Sequence, residues 1–166
     1  MPSGYEIKHK SRLGAVGGGV AIVHKLGISV KVLDTAKTQV FTHFEYMDCQ
    51  VNVAGFNESI RLVVIYRPPP SKKNGLKNSV FFQEWPVFID SFATMHHEIC
   101  MLGDLNFHLD IANDHDARRF MNLIEACGTR QTPTPAYDNN SVLYEGADQC
   151  VSKCLSIDQW MQPVFP

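Results

Sequence analysis

The chain has no apolar run approaching the ~20 residues that span a bilayer. Its opening Met-Pro-Ser-Gly-Tyr-Glu-Ile also lacks the hydrophobic core of a secretory signal. Cysteine is sparse and irregular: Cys49, Cys100, Cys127, Cys150 and Cys154 are odd in number, and only the last two lie close together. With no second pair a zinc knuckle is excluded. The thiols read as reduced, in an intracellular protein of cytoplasm or nucleus, with Cys100 and Cys127 buried. An excess of one charge is missing too. The net charge of −2 advertises no global basic field for nucleic acid, although a local groove is compatible with it. There is no internal repeat, and no histidine follows His115. A calcium loop fails as well. Counted from Asp104, its sixth and twelfth positions need Gly and Glu but hold Leu109 and His115.

What is present suits one globular domain. At 166 residues, 45% of them hydrophobic, the chain can bury a substantial core. Strand signals crowd the first half. A weak strand fits Tyr5–His9. Gly17-Gly18-Gly19 feeds Val20–Val23; a phosphate cradle would need a helix next, and β-branched residues follow instead. Ile28–Leu33 alternates after a tight turn at Lys25–Gly27, and Thr42–Val53 is extended. Ile60–Tyr66 is the strongest strand, nearly continuous and β-rich, and Arg67-Pro68-Pro69-Pro70 stops it because proline cannot donate to a ladder. Lys72, Lys73 and Lys77 then make either a phosphate contact or, as the simpler reading, a solvated turn.

Helical spacing follows. Asn78 or Ser79 can cap a helix to about Met95, with Phe81, Trp85, Phe88, Ile89 and Phe92 as its buried stripe. Pro86 should kink it or delay its start. Asp114 can cap a second helix through Ala117, Phe120, Met121, Ile124 and Cys127, stopped by Gly128. From Thr129 the pattern collapses, leaving only a weak strand at Val142–Tyr144. Strands, then helix, strand and helix make a mixed α/β layered domain, with Tyr66 and Asp104 both at strand exits.

The most informative stretch is Cys100–Asp110. Ile99–Leu102 suits a buried strand, and Gly103 breaks the run. Asp104, Asn106, His108 and Asp110 then alternate with Leu105, Phe107 and Leu109. An extended backbone would put the four polar groups on one face and the three apolar ones in the core. A carboxylate, an amide and an imidazole at a strand end suit metal-assisted phosphate chemistry. The same residues also suit an Asx-type turn, with Asp104 and Asn106 bonding local backbone.

With those residues in view, the chain resembles the endonuclease/exonuclease/phosphatase superfamily. It looks most like the endonuclease domain of non-LTR (LINE-type) retrotransposons. The likeness rests on Gly17–Val23, Phe44-Glu-Tyr46, Arg61–Pro70 and Leu102-Gly-Asp-Leu-Asn-Phe-His108, in register over roughly Gly4 to Gly128. It implies an α/β fold, a two-sheet sandwich flanked by helices, here partial and missing N-terminal and C-terminal elements. On this likeness residues 1–130 form the partial domain and 131–166 a divergent tail. It also implies hydrolysis of phosphodiester bonds, in DNA or another phosphodiester substrate, with Mg²⁺ or Mn²⁺ at Asp104 and Asn106. Asp104 would orient or deprotonate water, Asn106 would hydrogen-bond the scissile phosphate, and Tyr66 would approach that phosphate.

The departures are equally specific. The family's first-strand Asn and metal-binding Glu precede the glycine triplet, a region absent here, and Glu6 does not sit in the expected motif. The family's closing Asp-His or Ser-x-His element has no counterpart. Three readings therefore stand. One is a retrotransposon-derived, metal-dependent endonuclease-like fragment with impaired catalysis. The second is a working phosphodiesterase that recruits other groups such as Asp48, Asp110 or His115. The third is a non-catalytic α/β interaction module or relic that binds nucleic acid or protein. No membrane partner is implied.

The family's missing strands would pair beside Val20–Val23 and Leu62–Tyr66, which leaves apolar edges open. The chain expressed by itself should therefore be poorly soluble or self-associate, and if the tail strand near Val142 replaces a lost strand, deleting Thr132–Pro166 should worsen its solubility. Size-exclusion chromatography with a thermal melt checks this; a sharp monomer peak with a cooperative transition would count against it.

Overall fold

The computed structural model describes residues 2–12, 18–33, 40–55, 57–93, 99–109, 111, 113–126, 130–132 and 149–152. These form strands β1 (Tyr5–Ser11), β2 (Gly19–Lys25), β3 (Ile28–Leu33), β4 (Glu45–Val53) and β5 (Ile60–Tyr66). Helix α1 (Asn78–Ala93), β6 (Ile99–Asp104), α2 (His115–Ala126), β7 (Arg130–Thr132) and β8 (Gln149–Ser152) follow. β1 and β2 make an antiparallel pair, and the other strands make one sheet in the order β3-β4-β5-β6-β8-β7. Within it only β5 and β6 run parallel. The fold is thus the expected α/β arrangement, with two sheets and helices against the larger one.

Strand alternation decides which face meets which layer. Val63 and Ile65 of β5 and Ile99 and Met101 of β6 point to the helices, where they meet Phe81, Trp85, Phe88, Phe120 and Ile124. Leu62, Val64 and Tyr66 point the other way, against Val20 of β2, with Val30, Met47 and Cys49. β2 itself begins at Gly19, whose φ is 128°. A Cβ there would collide with the Lys10 carbonyl oxygen. Gly19 therefore admits β1 at close range and leads into a strand, as the β-branched sequence after it requires. Gly17, the first of the triplet, lies outside the described residues.

Several expectations need correction. β5 is flanked on both sides, by β4 and β6, so Leu62–Tyr66 offers no open edge. α1 begins at Asn78 and carries Pro86 inside it, so the proline does not delay its start. Neither Asn78 nor Ser79 supplies the first helical acceptor; the Lys77 carbonyl receives the amides of Val80 (3.2 Å) and Phe81 (3.3 Å). Cys100 is half-buried rather than buried. Asp114 does cap α2, its Oδ1 accepting the Ala117 amide at 2.9 Å. Gln149–Ser152, within the 131–166 segment, pairs with β6. Cys127, Gly128 and Val142–Tyr144 lie outside the described residues. No described helix is long and apolar enough to cross a membrane.

Aromatic rings weld the helices to the sheet. Phe120 has no exposed surface and stacks on Phe107 at 4.8 Å between centroids, with Trp85 at 5.5 Å and Phe81 at 6.1 Å. Truncating such a ring removes its transfer energy and leaves a cavity. Phe120→Ala should therefore lower unfolding free energy by about 3–5 kcal/mol, a large share of a margin that is typically about 5–15 kcal/mol. Urea titration measures it, and a loss under about 1 kcal/mol would mean that α2 is not part of the core.

Candidate functional site at the ends of two parallel strands

β5 and β6 are paired so that Tyr66 lies opposite Asp104. On the other side of β5, Tyr66 lies opposite Glu45. Glu45, Tyr66 and Asp104 therefore form one row across three strands, on the face that β2 partly covers. Gly103 makes the approach possible. Its φ is 151°, and a Cβ at that position would run into the Ile65 carbonyl oxygen. The glycine before Asp104 is thus a requirement of close strand packing.

Beyond Asp104 the chain leaves the sheet and turns. Asn106 has φ 52°, the only non-glycine residue among those described with a left-handed backbone. Its amide donates to Asp104 Oδ1 at 2.8 Å, which closes an Asx turn. Its side-chain Nδ2 donates to the Arg67 carbonyl at 2.7 Å and to Asp104 Oδ2 at 3.1 Å. A carbonyl can only accept, so the group facing Arg67 must be the NH₂, and Asn106 presents Oδ1 as its remaining acceptor. The Asx-turn reading of the sequence is the one the structure adopts. The alternation succeeds on its apolar side, where Leu105 and Phe107 are buried. On its polar side it joins Asp104 and Asn106 only. His108 is exposed, and Asp110 lies outside the described residues.

The other candidates lie elsewhere. Asp48 is almost fully buried and ion-paired to Arg61, with Val63 as its strand partner on the helix-covered face. It cannot serve the Tyr66–Asp104 face. The His115 side chain is 83% exposed at the start of α2. Burial and the adjacent Asp48 carboxylate push the Cys49 thiol up, against the opposing pull of Arg61, which leaves it unreactive.

Two features escaped the sequence. Arg67, beside the site, has a side chain that is 2% exposed. Asn74 pins the proline loop, bonding the Ser71 amide at 2.9 Å, the Leu76 amide at 3.1 Å and the Pro69 carbonyl at 2.9 Å. A cleft of about 570 Å³ opens next to Glu45, lined by Lys10, Arg12, His43, Tyr46 and Asn74 among others; Tyr66, Asp104 and Asn106 do not line it. Arg12 is ion-paired to Glu45 there.

Mg²⁺ and Mn²⁺ favour hard oxygen donors. Asp104 and the free Oδ1 of Asn106 are such donors, but no group of three His, Cys, Asp or Glu side chains suited to a metal occurs among the described residues. The pair fits a hydrated cation shared with a phosphate, held chiefly by Asp104, and not a cation caged by protein.

No protein-family model matches the chain, and no curated protein matches it. Solved structures do. An endonuclease/exonuclease/phosphatase family protein from Leptotrichia buccalis aligns over 90% of this chain and 59% of its own, at 14% identity and TM-score 0.49. A truncated Caenorhabditis elegans TDP2 aligns over 89% and 61%, at 12% identity and TM-score 0.46. A Danio rerio TDP2 humanized by 14 mutations aligns over 70% and 44%, at 12% identity and TM-score 0.43. The chain spans about half the length of these structures.

The left-handed backbone at Asn106 has a measurable signature. Alanine there keeps the strain and loses the two side-chain bonds, to the Arg67 carbonyl and Asp104 Oδ2, whereas glycine loses the same bonds but relieves the strain. Asn106→Gly should therefore be more stable than Asn106→Ala by about 1 kcal/mol, the reverse of the order found within helices and strands. Equal stabilities in urea titrations would argue against the turn.

Proposed function

We propose that the chain is part of a metal-dependent phosphodiester hydrolase of the endonuclease/exonuclease/phosphatase type. On this reading it is of retrotransposon lineage, acts on DNA, and hydrolyses slowly as it stands. The observation that carries the proposal is the Asp104–Asn106 turn, held in left-handed geometry beside Tyr66 at the ends of two parallel strands. Loops and strand ends on a rigid scaffold are where such chemistry is mounted.

The roles follow from the donors and acceptors. Asp104 has acceptor capacity left on both oxygens after its bonds to Asn106, so it can orient a water and take its proton. Asn106 holds that carboxylate from the backbone and side-chain sides at once. Both its amide hydrogens are committed, so donating to phosphate would require one of those bonds to open. Tyr66, the strand partner of Asp104, carries a hydroxyl that could donate. Mg²⁺ or Mn²⁺, when bound, would supply Lewis-acid stabilisation of phosphate charge.

Slow turnover is what the resemblance implies, since no counterpart of the family's metal-binding Glu or closing His is recognised in this sequence. A missing acid–base group typically costs about 10²–10⁴ in rate, and a missing transition-state donor about 10²–10³. The factors do not multiply, because such groups act as a unit.

Supercoiled plasmid and an abasic duplex, each with Mg²⁺ or Mn²⁺, provide the test. Nicking should be close to background, should depend on the metal, and should disappear in Asp104→Ala. Robust cleavage lost in Asp104→Ala would overturn the slow turnover but keep the site. Cleavage indifferent to Asp104→Ala would remove the site. DNA or protein binding without cleavage, unchanged in Asp104→Ala and independent of metal, would favour the non-catalytic interaction module.

A further inference from the structure

Arg67 touches three consecutive residues of the turn. Its amide donates to the Asp104 carbonyl at 2.8 Å. Its guanidinium Nη1 donates to the Leu105 carbonyl at 2.8 Å. Its own carbonyl accepts from Asn106 Nδ2 at 2.7 Å. The other arm of the guanidinium, Nη2, donates to Asn78 Oδ1 at the start of α1, and Asn78 Nδ2 donates in turn to Asp116 in the first turn of α2. The ion lies over two rings, 4.3 Å from the Phe107 centroid and 4.6 Å from that of Phe81.

We propose that Arg67 is the positioning residue of the Asp104–Asn106 turn, a buried guanidinium that ties the carboxylate and amide to the N-termini of both helices. The proposal rests on reading that turn as the phosphodiester site. The chemistry requires arginine. Its planar fork aims two N–H groups in different directions while its face lies against aromatic rings. A lysine ammonium, a single strongly hydrated point charge, cannot do both. Burial lowers the Arg67 pKa to about 10, with the Asp116 carboxylate opposing the shift, so the group stays charged at neutral pH. Neutral methionine would leave the Leu105 carbonyl and Asn78 without a donor.

The test uses the full ¹⁵N-labelled chain and side-chain NMR. In the wild type, the Arg67 guanidinium protons should exchange with solvent at least about 10-fold more slowly than those of exposed Arg118, and the Asn106 amide at least about 10-fold more slowly than that of exposed Asn122. In Arg67→Lys the Asn106 protection should vanish while the methyl signals of Val63, Ile65 and Ile124 keep their pattern. Guanidinium protons exchanging like those of Arg118, or a folded Arg67→Lys with Asn106 still protected, would overturn the proposal. If Arg67→Lys does not fold, the wild-type exchange comparison decides alone. A kinetic arm uses bis-p-nitrophenyl phosphate with Mn²⁺. Misplacing a reacting group by about 1 Å can cost about 10²-fold, so Arg67→Lys should lower kcat by about that factor, with KM within about 2-fold. An unchanged kcat in a folded variant would overturn the proposal. A wild type with no metal-dependent hydrolysis would sink the functional reading instead and leave the exchange result to decide the role of Arg67.

Discussion

The pairing of β5 with β6 is the constraint on which the site depends. Parallel strands cannot be joined by a tight turn; the chain must cross over and re-enter from the same end. Here it leaves β5 at Tyr66, passes through the proline loop and α1, and returns as β6. That path puts the C-terminal ends of both strands side by side and lays α1 across the face carrying Val63 and Ile65. It also explains the prolines. Residues Pro68 to Pro70 prevent β5 from extending further, so Tyr66 is the last paired residue and meets Asp104, the last of β6. Had β5 run longer, Asp104 would have stayed within the ladder and its carboxylate would have stood among strand side chains.

A site formed this way still needs its loop fixed, and the energetics there are finely divided. Burying a guanidinium is expensive unless each N–H finds a partner. Arg67 meets that demand in part, one N–H on each Nη finding an acceptor in the Leu105 carbonyl and the Asn78 amide oxygen, while the face of the ion lies over two aromatic rings. The left-handed Asn106 costs about 1–2 kcal/mol, offset by three hydrogen bonds from one residue. The two arrangements share their hydrogen bonds. The Asn106 amide needs the Arg67 carbonyl, and the Arg67 guanidinium needs the Leu105 carbonyl that the turn presents.

Much of this was legible in the sequence where a single period or residue type governs the outcome. Ile28–Leu33 and Ile60–Tyr66 read as strands because alternation and β-branching agree, and both bounds match the structure. Asp114 read as a cap because a carboxylate just before amphipathic helical spacing suits that role, and its Oδ1 does accept the Ala117 amide. Asn78 looked equally good as a cap, yet its amide is claimed by Arg67 and Asp116, a charge-assisted contact stronger than a bond to a helix N–H. The stretch after Gly103 left two readings open, and the structure adopts the Asx turn. An Asx turn and a strand share the same short-range alternation, and only the φ of Asn106 separates them. The burial of Arg67 was illegible in principle, since Phe81 and Phe107 converge on it from elements far apart in the chain.

The same accounting bears on charge at the site. A phosphodiester transition state accumulates negative charge, and a site that stabilises it must present donors or cations already in place. The nearby arginines are committed: Arg67 is sealed within the turn and Arg12 is paired with Glu45. What the turn keeps available is acceptor, the Asp104 carboxylate and the Asn106 Oδ1, with Tyr66 opposite Asp104 on the neighbouring strand. Two acceptors facing a phosphate repel it unless a cation stands between. On the proposed reading, phosphate would therefore need a divalent ion beside it, and Asp104 would be the carboxylate that holds that ion. Affinity for metal and affinity for phosphate should then be one coupled quantity, each weak without the other.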